Sequence, residues 1–193
     1  MLIYMKKISL LALLIFFLLA HLAYLQVNLD EYFERCRNAA TKLQIELELA
    51  LTCATAEGGP VAGIEVCNYM APEIAKKISM EENLTIYRVS LKTRNKDNNP
   101  DKWEKKVLNL FEEWKNEGKD IQHLEAYNIE SNNLRYMKAI VIQKKCLTCH
   151  GKVDAIPVEV KETIDTLYPE DEATGYKEGD VRGAFSVNML LER

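Results

Sequence analysis

Apolar positions along the first third of the chain repeat at helical spacing. From Asp30 to Glu57, Leu43, Leu47, Ala50 and Ala54 fall on one face, and no proline interrupts the run. Gly58-Gly59-Pro60 ends that helix, and Pro60 suits the first turn of a second one. The second carries Val61, Ile64, Cys67 and Ala71 on one face, with Pro72 re-punctuating it before its end near Ile78. So tight a connection predicts an antiparallel helical hairpin.

After Asn83 the period changes to two. Leu84, Ile86, Val89 and Leu91 predict a strand ending near Arg94, followed by a turn-rich loop from Asn95 to Pro100. Asp101 then caps a third helix, whose apolar face holds Trp103, Val107, Leu110, Phe111 and Trp114 and which stops at Gly118. Ile121 to Ile129 and Leu134 to Gln143 read as two strands of a hairpin turned by Glu130-Ser131-Asn132-Asn133. Val158 to Leu167 predicts a short helix, Tyr168 to Asp180 a polar loop, and Val181 to Leu190 a last strand. The fold class is α+β: two or three N-terminal helices, then an antiparallel sheet. Four strands are legible, and a fifth is expected to be hidden or irregular.

Upstream, Lys6 and Lys7 precede an apolar run from Ile8 to Ala20, which continues past His21 to about Val27. Residues 1–27 are read as an uncleaved membrane anchor or a removed signal peptide, with an anchor favoured because no small-x-small cleavage site stands out. Lysines before the run, with Asp30 and Glu31 after it, place the amino terminus inside and the remainder outside. Residues 28–193 form one domain, with a helical hairpin over 28–82 and the sheet-containing part over 83–193. A formal charge of −4, without a basic block or a phosphate-cradling glycine loop, excludes a nucleic-acid surface.

The chemistry concentrates in Cys146-Leu147-Thr148-Cys149-His150. Two thiols at this spacing can each add to a haem vinyl group while the adjacent histidine reaches the iron, the pattern of covalent haem c attachment. A zinc site would need a second ligand pair, and Cys36, Cys53 and Cys67 lie too far apart to supply one. A thioredoxin-type pair should open a helix after a strand, whereas Gly151 to Pro157 is loop-like. Since haem is joined to such motifs outside the cytoplasm, the motif and the export segment agree on a periplasmic address at the bacterial inner membrane. One haem c is the expected cofactor, with Cys146 and Cys149 as its covalent sites and His150 as an iron ligand.

The residues leave the second axial ligand open. Cys67 lies on an apolar helical face, where a cysteine is commonly a small buried hydrophobe, although a thiolate is a strong ligand for ferric iron. Met70, Met80, Met137 and His123 are its rivals. Arg88, Lys92 and Arg94 bring alternating positive charge to one strand and are candidates for the haem propionates. On one helix, Cys36 and Cys53 would stand ~25 Å apart, too far for an internal bridge. Cys53 could instead reach Cys67 across the Gly-Gly turn.

The chain also resembles a known family over nearly everything after the apolar run. The matching residues are Gly58 to Ala75 (GGPVAGIEVCNYMAPEIA), Arg88 to Asn95, Asn98 to Glu104, Cys146 to Gly151 (CLTCHG), and Tyr168 to Tyr176 continuing through Gly183 to Val187. These five blocks, in this order, are similar to the membrane-anchored or periplasmic c-type haem family with a PAS-like fold, once catalogued only as a domain of unknown function. Lys96 departs from it, standing where the family carries proline. The resemblance implies a PAS-like sheet and an iron held by the motif histidine and by a cysteine of the helical part, which here is Cys67.

Three roles follow from these expectations. A redox or gas sensor would use a ligand-exchangeable haem to alter helix packing, through a separate partner because no kinase, cyclase or chemoreceptor domain is read after the haem part. A low-potential electron carrier tethered at the membrane needs only an exposed haem edge. An enzyme such as a peroxidase would need a distal histidine and arginine, which are not found, so no catalytic residue is expected. The partners expected are the inner membrane, an unidentified redox or signalling protein and no nucleic acid, with a homodimer through the helices left open.

Overall fold

The structure, a computed structural model, describes the backbone of residues 2–191 and the side chains of residues 12–19 and 29–191. Contacts divide the chain into two units, Met1–Arg35 and Cys36–Arg193. In the first, Leu13 to Leu19 present exposed apolar side chains on a helix. The expected anchor or signal, residues 1–27, falls mostly on positions whose side chains lie outside the described residues. Among the described residues, no helix is long and apolar enough to cross a membrane.

Helix α1 is assigned over Leu2–Glu65, starting well before Asp30, and it breaks at Gly59, whose φ of 71° and ψ of −171° leave the helical region. Only glycine reaches that conformation without strain, so the Gly-Gly-Pro punctuation is the hinge of the hairpin. The returning segment passes through a π-helical turn, Val66–Met70, into α2, Ala71–Glu82, with Pro72 in its first turn. Lys42 pairs with Glu81 and Glu82 at 2.9 and 2.8 Å, and Lys77 with Glu46 at 3.2 Å, which makes the hairpin antiparallel.

The second unit closes on one four-stranded antiparallel sheet of order β1-β4-β3-β2: β1 Thr85–Val89, β2 Glu125–Glu130, β3 Asn133–Val141 and β4 Val181–Leu190. No fifth strand occurs among the described residues. Helix α3, Lys102–Asn116, carries the expected Asp101 cap, which the structure extends to a capping box: Asp101 accepts from the backbone of Trp103 and Glu104 while the Glu104 carboxylate accepts from Asp101 N. Its Val107, Leu108 and Phe111 pack on Val89, Met137, Ala139 and Ala184, one face of the sheet. The opposite face meets α1, where Arg37 pairs with Glu125, and Lys138 donates to Thr41 at 3.3 Å.

Two strands are shorter than their patterns suggest. β1 stops at Val89, not near Arg94, because the Ser90 hydroxyl accepts from Lys92 N at 3.2 Å and turns the chain. β2 starts at Glu125, because Asp120 accepts from Gln122 N at 3.0 Å and winds Ile121–His123 into a 3₁₀ turn. The helix expected after the motif is α5, Val158–Leu167. Lys96 opens a 3₁₀ turn, Lys96–Asn98, capped by the Asn95 side chain.

Candidate functional site

The motif hangs from the end of β3. Ile142, buried, exchanges backbone hydrogen bonds with Asp180 and Gly179 at 2.8 and 2.9 Å, which anchors the strand end to the polar loop ahead of β4. A 3₁₀ turn, Lys144–Cys146, and the one-turn helix α4, Leu147–His150, then display the two cysteines and the histidine. Gly151 closes the turn by donating to Leu147 O at 2.8 Å; a Cβ there would lie 2.5 Å from that oxygen, so the residue after the motif must be glycine.

The loop between α5 and β4 folds back over this turn. Gly175 N donates to Gly151 O at 2.7 Å and Tyr176 N to His150 O at 3.0 Å. The same loop brings Ala173 O to 2.7 Å from His150 Nδ1. A carbonyl can only accept, so Nδ1 carries the proton and Nε2 is left with its lone pair. The Tyr176 ring meets the imidazole edge-on, with centroids 6.2 Å apart. Burial pushes the His150 pKa well below its usual value, and Arg182, Arg94 and Arg88 push it further, so the ring is a neutral donor.

Arg94 braces the arrangement. With 8% of its side chain exposed, it makes a two-pronged pair with Asp171 at 3.1 and 3.2 Å and donates to Cys149 O at 2.6 Å. Burial raises the Cys149 thiol pKa, with Arg94 acting against it and the Cys67 and Cys146 thiols adding to it. Cys67 therefore lies within the field of Cys149, half-buried on the π-helical turn. It also acts on Tyr168, whose phenol is pushed up to about 12, mainly by burial. Cys53 and Cys67 carry no disulfide, so no Cys53–Cys67 bridge forms; Cys36 is buried and Cys53 exposed.

Of the rival axial ligands, Met70 alone shares the π-helical turn of Cys67. Met137 is fully buried in the cluster under α3, Met70 and Met80 are exposed, and His123 is an exposed residue paired with Asp120 at 2.7 Å. Of the cationic candidates, Lys92 donates to Thr174 O and covers the Tyr176 ring at 4.7 Å. Arg94 is committed to Asp171, and Arg88 is half-buried with no hydrogen bond or ion pair among the described residues. Sequence reasoning passed over Arg182, although it is the one charge in β4, and passed over the Ala173 carbonyl, which no side-chain pattern announces.

A groove of about 520 Å³ borders the motif on its Leu147 and Thr148 side, with Lys144, Lys152 and Lys177 at its margin. A second, of about 450 Å³, is lined by Ala54, Gly58, Ala62, Val66, Tyr69 and Met70, where the hairpin meets the π-helical turn.

Fold and site together define a class: an α+β protein with a helical hairpin, a four-stranded antiparallel sheet and a Cys-x-x-Cys-His turn whose histidine is oriented by a backbone carbonyl. Residues 15–189 match the model of the Tll0287-like family (Tll0287), and the chain belongs to that family. Among solved structures it is similar to the crystal structure of the cyanobacterial heme-protein Tll0287, with 21% identity and a TM-score of 0.61 over 86% of this chain and 96% of that one, a likeness of fold. No curated protein matches the chain.

Proposed function

We propose that this chain carries one covalently attached haem c outside the cytoplasm, bound through Cys146 and Cys149, with His150 and Cys67 as the iron ligands, and acts as a redox or gas sensor. The observation that carries the haem reading is the 2.7 Å hydrogen bond from His150 Nδ1 to Ala173 O. Metal-bound histidines characteristically donate their other ring N–H to a carbonyl or carboxylate, which fixes the tautomer and aims the free nitrogen. Two free thiols on the same short turn, and a heme-protein as structural relative, support it further.

Haem supplies a one-electron couple and, where one protein ligand gives way, a place for a diatomic gas. The chain's own residues hold its surroundings. Ala173 O keeps the Nδ1 proton, and Arg94 ties the carbonyl of Cys149 to Asp171. Cys67 sits on a π-helical turn, a winding less stable than the α-helix on either side and frequent at functional sites. A change in what Cys67 holds is thereby coupled to the winding between the hairpin's hinge and α2, and this favours the sensor. We assign no catalytic residue. The sheet is read as PAS-like and residues 1–27 as the anchor or signal.

A second reading, a tethered electron carrier, is favoured by the open groove beside Leu147 and Thr148, whose lysine margin suits an acidic redox partner. The deciding experiment is optical and electron paramagnetic resonance spectroscopy of the full chain, matured by a c-type haem attachment system, ferric and ferrous, with and without carbon monoxide. A low-spin thiolate signal that yields to the gas on reduction, and that disappears in Cys67→Ala, is expected. His150→Ala should keep its covalent haem but lose the wild-type spectrum. A spectrum indifferent to the gas moves the assignment to the carrier, and a chain without covalent haem overturns both readings.

A further inference from the structure

The cations around His150 outnumber their counter-ions. Arg88, Arg94 and Arg182 all act on the imidazole, and among the described residues only Arg94 has a carboxylate partner, Asp171. Two guanidinium charges are therefore left over in a partly buried region.

Their placement is built rather than incidental. Pairing between β3 and β4 runs Ile140 with Gly183 and then Val141 with Val181, so Arg182 is the extra residue of a β-bulge. Bulges re-aim a side chain and are common beside functional sites. Close packing enforces the crossing beside it, since a Cβ on Gly183 would lie 2.2 Å from Val89 O. Arg182 Nη1 donates to Ser90 Oγ at 2.7 Å and to Lys92 O at 3.1 Å, both neutral acceptors, while Nε and Nη2 have none among the described residues. Its guanidinium lies 5.6 Å from the Tyr176 ring, which in turn stands edge-on to His150. Arg88 lies near the end of β1, on the strand face opposite Val89, which packs under α3, and its charge acts on Arg182. The guanidinium plane matches a carboxylate with two parallel N–H donors.

We propose that Arg88 and Arg182 form a paired receptor for the two propionate carboxylates of the haem, while Arg94 and Lys92, spent on Asp171 and Thr174, hold the loop. This inference rests on the haem reading above. Two ionised propionates carry the two negative charges that the pair lacks.

The test compares the full chain with Arg88→Gln, Arg182→Gln and Arg182→Lys, each matured with haem and also produced without the attachment system. Removing Arg88 should lower the melting temperature of the haem-loaded protein by ~3–6 °C, yet leave that of the haem-free chain unchanged or raised, since an unpartnered charge has been relieved. Arg182→Gln also loses the bonds to Ser90 and Lys92, so its reduction potential is the better readout. Loss of a cation beside the haem should lower the potential, and Arg182→Lys should restore most of it. Equal destabilisation of the loaded and haem-free Arg88→Gln proteins, or a potential unmoved in both Gln variants, overturns the inference while leaving the haem assignment standing. Wild-type chain without covalent haem overturns that assignment itself.

Discussion

Glu104 and Arg88 both bring a charge inward beside β1, one toward each face of the strand, and they are treated in opposite ways. The Glu104 side chain is 2% exposed and fully engaged: it accepts from Tyr87 OH at 2.8 Å, Ser186 Oγ at 2.6 Å and Asp101 N at 2.8 Å, and pairs with Arg135 at 3.4 Å. Arg88 has no such circle, and Arg182 beside it has only neutral acceptors. A buried charge left open costs stability unless something arrives to meet it. The difference separates architecture from provision for a ligand: the closed cluster serves the fold, and the open one serves what the fold holds.

The sharpest way to break this comparison is Glu104→Ala. It leaves Tyr87 OH and Ser186 Oγ without their acceptor, strips Arg135 of one of its two carboxylate partners, and should cost about 4 kcal/mol. Urea denaturation should find the same loss with and without haem; a loss confined to the loaded form would make Glu104 part of the site. Next in size, Arg94→Ala leaves Asp171 buried without its partner and should cost about 3 kcal/mol in both forms. It should also reduce the yield of covalent haem, because the tie to Cys149 O goes with it.

The smallest effect concerns pH. Glu125 is held below its ordinary value first by its hydrogen bonds from Arg37, with burial opposing and Tyr136 helping. A carboxylate whose folded pKa is lowered contributes stability that is complete above its unfolded pKa and is lost as pH falls through the folded one. The pair is partly exposed, so the contribution is about 1 kcal/mol after screening. Acid titration of the melting temperature should lose that increment below the ordinary glutamate range in wild type and not in Glu125→Gln.

Much of this was legible in the chain itself. Helix α3 and its cap could be read from Asp101 and the spacing of Val107 and Phe111, because local capping chemistry and periodicity agree there. α5 and β4 were likewise readable to their ends. β1 and β2 were read too long because their limits depend on one-residue side-chain turns at Ser90 and Asp120, which leave the alternation of apolar residues undisturbed. The π-helical turn under Cys67 was invisible, since one extra residue in a helical turn changes winding without changing composition. At the site, the motif named itself. Arg88 was picked out as a cation on a strand, and so was Arg94, whose pairing with Asp171 was hidden because that partner lies far along the chain. Arg182 went unnoticed because a bulge is a property of pairing, not of the strand's own residues.

The sheet order has a consequence for assembly. β4 lies between β1 and β3, so the last strand among the described residues is a central one, and its pairing with β1 joins positions about 100 residues apart, as between Thr85 and Asn188. Such closure is entropically late and slow. Cys146 and Cys149 precede β4 in the chain, as does the loop that supplies Ala173 O to His150. During synthesis the two thiols emerge before the sheet can shut, on a chain still open to modification. The final strand and the loop ahead of it then set the histidine, so on the haem reading proposed above chemical attachment and geometric locking would be successive stages of one chain's maturation.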